Sequence, residues 1–245
     1  SDEADLKMGV TMSHRFDRDK TTLRRRIQSD ASGPLDYLVG RFTCNARTYG
    51  AWGAFRHDME NPLMVEGAVH QLDFLADMAG APCETLYADT WLPEWAEYED
   101  DVQALVQLRF ENGVRATWEG AKANAETLNG WGSDYVRAEC RDETLVLDGR
   151  EITRFPYEQD RETVVGAVDE SAGEPLPMAD GDRWSNEWLV EQFLDWLDGE
   201  PMATDVESNL QSVALVEAAI ESGDSGEPVN VQDLLADTRE RVASN

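Results

Sequence analysis

Four side chains in one short stretch have the types and spacing for proton chemistry. Glu66, His70, Asp73 and Asp77 stand at i, i+4, i+7 and i+11, so a helix through them carries all four on one side. An imidazole titrates near neutrality, and a neighbouring carboxylate fixes its tautomer and tunes its proton affinity. His70 flanked by carboxylates therefore reads as a proton shuttle. A solvated helix face in an acid-rich chain explains the same spacing. A metal held by His70, Glu66 and Asp73 is a third option, but nothing nearby completes a ligand set, so no metal is expected.

Other candidates lie in the loop at residues 47–57, which is rich in Gly and aromatics and has no period. Tyr49 and Trp52 are of the kind that stacks on a sugar ring; packing beneath the loop is the alternative. His57 in the same loop reads as an exposed loop histidine. His14-Arg15-Phe16 follows a short apolar run and alone reads as surface polarity. Trp184, Trp188 and Trp196 are spaced for a helical core. Neither a Ser/His/Asp nucleophile signature, a phosphate loop nor a Gly-x-Gly-x-x-Gly occurs.

The elements that must position these groups are legible from pattern. Residues 8–12 read as a strand, 21–29 as a helix stopped by Gly33-Pro34, and 35–46 as a strand. The helix of residues 63–79 ends at Gly80, with Pro82 beyond it. Val65, Val69, Leu72, Ala76 and Ala79 form its buried face. Val102 to Phe110 alternates, Asn112-Gly113 turns, and Val114, Ala116 and Trp118 return. Asn-Gly between alternating runs predicts a tight turn with positive φ at both residues. Asp148-Gly149 marks a second hairpin. Residues 158–182 read as a long surface loop. A helix over 185–197 follows, then one from a capping box at Thr204-Asp-Val-Glu207 to Gly223, and a last short strand at Val229 and Val231. Hairpin-joined strands with helices at both ends predict an α+β fold: a mostly antiparallel open-faced sheet with helices packed on one side.

Composition narrows the partners. Across 245 residues, 50 Asp and Glu oppose 21 Lys and Arg, giving a net charge of −29 that repels nucleic acid and anionic membranes. The acid is spread along the chain, and Lys occurs only at residues 7, 20 and 122. That pattern predicts adaptation to high salt, where screening removes self-repulsion. Cys44, Cys83 and Cys140 form neither a zinc pattern nor a disulfide framework, which predicts a reducing, cytoplasmic setting. No apolar run approaches the roughly 18 residues of a membrane span, and the opening residues lack the basic-then-apolar pattern of a secretory signal, so none is expected.

Taken in order, the motifs resemble the C-terminal domain of the glucose–fructose oxidoreductase / inositol dehydrogenase (Gfo/Idh/MocA) family. The resemblance rests on Val10-Thr-Met-Ser-His-Arg15-Phe16, on Gly33-Pro-Leu-Asp-Tyr-Leu-Val39, on Glu66-Gly-Ala-Val-His70-Gln-Leu-Asp73, and on Gly226-Glu-Pro-Val-Asn-Val231. It covers nearly the whole chain. It implies an NAD(P)-dependent oxidoreductase acting on the CH–OH group of a sugar or polyol. Carried over residue by residue, it implies His70 and Glu66 as catalytic groups, with Arg15, Tyr49, Trp52 and Asp73 on the substrate side. The family commonly has Asp where Glu66 stands, one methylene shorter. It also implies a Rossmann domain, a glycine fingerprint and a Glu-Lys-Pro motif, none of which is in these residues. The expectation is thus a truncated chain: residues 1–30 a junction strand and helix, residues 31–245 the substrate-binding and dimerisation domain. NAD or NADP is expected in the intact protein and not on this chain alone, with a homodimer or tetramer through the open sheet face. A non-catalytic ligand-sensing module of the same fold is the alternative.

Overall fold

Alternating burial draws the sheet. In the strand Gln103–Phe110, Ala104, Val106, Leu108 and Phe110 are buried while Leu105, Gln107 and Arg109 face out. Each inward Val, Leu or Phe contributes about 1.5–3 kcal/mol. The structure is a computed structural model and describes residues 6–159 and 173–244.

Among the described residues nine strands form one sheet. They are β1 (Leu35–Thr43), β2 (Cys83–Trp91), β3 (Gln103–Phe110), β4 (Arg115–Ala121), β5 (Tyr135–Cys140), β6 (Glu143–Asp148), β7 (Glu151–Pro156), β8 (Glu174–Pro175) and β9 (Val229–Asn230). Their order is β8-β7-β6-β5-β1-β4-β3-β2-β9. Among the described residues only β1 and β4 pair in parallel; the other neighbours are antiparallel. The helices are α1 (Arg18–Ile27), α2 (Phe55–Asp58), α3 (Val69–Ala79), α4 (Ser185–Leu197), α5 (Leu210–Ser225) and α6 (Val231–Ala243). α3 lies on β1 and α5 on β2. Gly40 of β1 permits the first contact, since a Cβ there would stand 2.9 Å from Leu75 Cδ1. The opposite sheet face is open and polar. Cross-strand pairs Arg41–Glu119 and Arg109–Glu84, each at 3.2 Å, lie on it. The predicted α+β sheet with helices on one side is the fold observed.

Local chemistry departs from expectation where one residue changes a register. Glycine at 149 and arginine at 150 both adopt positive φ, 54° and 67°, closing the β6–β7 hairpin as the two-residue turn that matches strand twist. At the β3–β4 hairpin only Gly113 does, with φ 87°, and Phe110 pairs with Val114. The loop is therefore one residue longer than the predicted two-residue turn.

The segment predicted as a strand at 8–12 makes one bridge, Gly9 with Asp205, before Ser13–Phe16 winds into a 3-10 turn. Leu63–Ala68 is wound as a π turn, and α3 begins after it. The wider π winding rotates the register, so Val65 is exposed while Leu63, Met64 and Ala68 are buried. α5 begins six residues past the predicted cap. Asp205, not Thr204, receives the Glu207 and Ser208 amides. The helix α6 was not predicted at all; Asn230 caps it through Gln232 and Asp233. Part of the predicted 158–182 loop lies outside the described residues, and the rest contains β8.

Candidate active site

His70 on α3 stacks on His14 of the 3-10 turn, ring centres 4.3 Å apart and planes 22° apart. Trp131, between β4 and β5, sets its indole edge-on to both, at 5.0 and 5.5 Å. Trp131 in turn touches Trp52 at 5.3 Å and Phe42 at 5.2 Å. The Nδ1 atoms of His14 and His70 and Nε1 of Trp131 are buried without a hydrogen-bond partner. Burial, followed by the charges of His70 and Lys20, lowers His14 to about 4 against the attraction of Asp134 and Asp17. Burial likewise lowers His70, against Asp73, Asp134, Glu66 and Asp17. Both imidazoles are neutral at neutral pH, so each has a lone pair free to take a proton.

A buried ion cluster underlies the pair. Lys20 Nζ lies 2.8 Å from Asp134 Oδ2 and 3.0 Å from Asp17 Oδ2. Gln71 Nε2 donates to Asp134 Oδ1 at 3.1 Å. Burial opposes the Lys20 charge, yet Asp134, Asp19 and Asp17 push it up to about 12. The cluster fixes α1, α3 and the Trp131 loop relative to one another.

The rest of the carboxylate stripe also faces protein. Arg15 clamps Asp73 with two hydrogen bonds, one from Nε at 2.8 Å. Ser212 Oγ donates to the same carboxylate, with Asn209 Nδ2 at 3.5 Å. Arg24 pairs with Asp77. Asp73 is 1% exposed, so the solvated-face alternative fails here. Asp73 and Asp77 bolt α3 to its neighbours and hold His70 in place.

Glu66 points toward the aromatic loop. Its Oε2 lies 2.6 Å from Lys122 Nζ, and its Oε1 accepts from Arg56 Nε at 2.9 Å. Lys122 also donates to the Pro62 carbonyl at 2.7 Å. Burial works against the Glu66 charge, but its bonds to Lys122 and Arg56 hold its carboxyl below the ordinary range. Burial also lowers Lys122. Arg56 donates to the Trp52 carbonyl at 2.6 Å and lies over the Trp52 ring at 5.2 Å. Trp52 has φ 64°, in the left-handed region. The chain Lys122–Glu66–Arg56–Trp52 therefore latches the loop beside the imidazole pair. Tyr49 stands further out, its hydroxyl donating to Asp58 at 3.0 Å.

His57 was expected to be exposed and is instead fully buried. Its Nδ1 lies 2.7 Å from the Glu97 carbonyl, its Nε2 lies 3.1 Å from that of Ala51, and its ring stacks on Tyr98. The loop folds back over residues 97–99, and the imidazole ties the two together.

The sequence reading took His14 for surface polarity and did not single out Trp131, Lys20, Lys122 or Asp134. Scarcity was the available signal. The chain has three lysines, and the two fully buried ones pair with carboxylates around this site.

Residues 21–136 match the family of GFO/IDH/MocA C-terminal domains. The match supports the Gfo/Idh/MocA family, and the mixed nine-stranded open sheet is the architecture of that domain. The chain is 48% identical over 238 residues to the uncharacterised protein y4oX of Sinorhizobium fredii (strain NBRC 101917 / NGR234), covering 96% of this chain and 65% of y4oX. It thus spans just under two thirds of that relative. Its fold is similar to an oxidoreductase of Agrobacterium radiobacter in complex with NAD+, L-tartaric acid and magnesium. There the TM-score is 0.75 at 17% identity, over 95% of this chain and 67% of that one. It is similar also to the aldose–aldose oxidoreductase of Caulobacter crescentus complexed with glycerol, with TM-score 0.72 at 13% identity, over 94% and 65%. No described helix is long and apolar enough to cross a membrane.

Proposed function

We propose that this chain is the substrate-side part of an NAD(P)-dependent oxidoreductase acting on the CH–OH group of a sugar, polyol or similar small molecule. One observation carries the reading. His70 lies part-buried against the rings of His14 and Trp131 with Nδ1 unpaired, on a helix held by the ion pairs of Asp73 and Asp77. Such a group takes the hydroxyl proton as an alcohol becomes a carbonyl.

The residues present fit the reacting end of a nicotinamide and not its phosphates. Trp131 and the His14–His70 stack offer a flat, apolar wall with unpaired polar atoms. No glycine fingerprint for a pyrophosphate is in the sequence. In the proposal the dinucleotide is held by a part outside these residues, residues 1–30 are the junction to it, and residues 31–245 bind substrate. A bound nicotinamide supplies the hydride acceptor. His70 takes the proton. Trp52, with Tyr49 at the rim, presents a ring face to the sugar. Glu66 holds the loop bearing Trp52, and Arg15 with Asp73 holds the helix bearing His70. The family resemblance and the two oxidoreductase folds support the class; the aromatic walls support a carbohydrate.

The proposal extends to assembly and milieu. The open sheet face is assigned to self-association as a homodimer or tetramer, which sedimentation velocity tests. The net charge of −29 is assigned to a high-salt setting. NADH fluorescence titration tests the division of labour. This chain alone is expected to leave NADH emission unchanged, while the intact protein changes it. Binding of NADH by this chain alone contradicts the proposal.

A further inference from the structure

Away from the imidazole pair, a cavity of about 520 Å³ opens between α1, residues 180–184 and α4. Phe16, Trp184 and Trp188 give it aromatic walls. The segment bearing Trp184 is fixed to α1. Arg18 Nε donates to the Ala179 carbonyl at 2.9 Å, and the Ala179 amide donates to Thr22 Oγ1 at 2.9 Å. The Arg18 guanidinium also lies 6.0 Å from the centre of the Trp184 ring. Trp184 Nε1 donates to the Gly181 carbonyl at 3.1 Å, and a Cβ at Gly181 would stand 2.7 Å from Trp184 Cζ2. Ser185, the next residue, holds φ 55°, in the left-handed region. The indole is therefore set in place by close contacts and local strain.

Four polar groups of the lining have no partner among the described residues: Gln192 Oε1, the Arg25 guanidinium and the carboxylates of Asp180 and Asp182. The other charges of the lining are taken up, Arg24 by Asp77 and Arg183 by Glu191. Arg25, Asp180 and Asp182 are exposed, so water satisfies them at the mouth. Gln192 Oε1 is buried, and a leucine would fill its place without leaving an acceptor unpaired.

We propose that this cavity binds a free α-amino acid whose aromatic side chain ends in a hydrogen-bond donor, as that of tyrosine does. The ring lies against Trp184 and Trp188, and its terminal O–H donates to Gln192 Oε1. The carboxylate meets Arg25, and the ammonium meets Asp180 and Asp182. One free guanidinium and two free carboxylates at one mouth match a zwitterion. A simple anion gains only Arg25, against the repulsion of a chain of net charge −29, and a simple cation leaves Arg25 unused. The volume lies within the range of small-molecule sites. Phe16 sits in the turn that carries His14, and Arg24 pairs with Asp77 of α3, so the cavity backs onto the elements that hold the imidazole pair.

Equilibrium dialysis of the protein against radiolabelled L-tyrosine tests this, and it needs no turnover, so its result is independent of the dehydrogenase reading. Saturable binding of one molecule per chain is expected. L-Phenylalanine, which lacks the terminal donor, and tyramine, which lacks the carboxylate, are expected to compete about tenfold more weakly or worse. Arg25→Gln changes an exposed side chain with no partner to lose. It is expected to weaken L-tyrosine binding about tenfold and to leave tyramine unchanged. Gln192→Leu is expected to remove the preference for L-tyrosine over L-phenylalanine. Absence of saturable binding at millimolar L-tyrosine overturns the proposal. So does L-phenylalanine competing as well as L-tyrosine in wild type, or L-tyrosine affinity that either variant leaves unchanged.

Discussion

Lys122 Nζ lies 2.6 Å from Glu66 Oε2, and the lysine is fully buried. A charge so enclosed depends on its partner. Lys122→Met leaves Glu66 with Arg56 alone, whereas Glu66→Gln leaves a buried ammonium with a carbonyl and a neutral amide. The second is the more damaging, by about 3–5 kcal/mol in urea unfolding. The double variant Glu66→Gln/Lys122→Met is expected to regain a good part of that loss. Additive losses would contradict the pairing.

Asp73 joins Arg15, Ser212 and Asn209 in a buried knot behind His70. Asp73→Asn keeps the shape and removes the charge, leaving Arg15 only the more distant carboxylate of Asp77 at 3.9 Å. A loss of about 2–4 kcal/mol is expected in thermal or urea unfolding. In the intact protein kcat should fall with it, because His70 rides on the same helix. A variant as stable as wild type would contradict the clamp.

Acid sensitivity follows from the imidazole pair. The unfolded chain takes a proton on His14 near 6.5, whereas the native site resists until about 4. Stability is therefore complete above pH about 6.5 and declines as pH falls toward 4; His70 acts in the same direction. In His14→Gln, the drop in unfolding free energy between about pH 7 and pH 4.5 is expected to shrink by on the order of 1–3 kcal/mol. An unchanged pH slope would rule out the burial of a neutral His14.

The acidic surface predicts a salt dependence. Fifty carboxylates repel one another at low ionic strength, and their screening length falls to about 3 Å at 1 M salt. The melting temperature is expected to climb steadily from low to multimolar KCl. A melting temperature independent of KCl would sink the high-salt reading.

The sheet was legible because its signal is local. The alternation from Ala104 to Phe110 fixes a strand without reference to distant residues, and the Asp148-Gly149 signal fixes a hairpin whose turn closes one residue later, at Gly149-Arg150. The spacing of Glu66, His70 and Asp73 was also local, but what each side chain meets was not. The π turn at Leu63–Ala68 has no pattern of its own. Lys122 reaches Glu66 across 56 positions and His14 reaches His70 across an equal number, contacts set by packing alone. Helix α6 escaped notice because only Val231 on it is buried, so its apolar stripe is weak. His57 misled because a Gly-rich loop reads as exposed, while its burial depends on residues 97–98 folding over it.

His70→Ala in the intact protein tests the central claim most directly. The readout is NAD(P)H formation with a polyol or sugar that wild type oxidises, with cofactor binding and melting temperature measured alongside. Turnover is expected to fall by about 10²-fold or more while cofactor affinity and fold persist. Near-normal turnover in that variant would contradict the assignment of His70 as the group that takes the substrate proton.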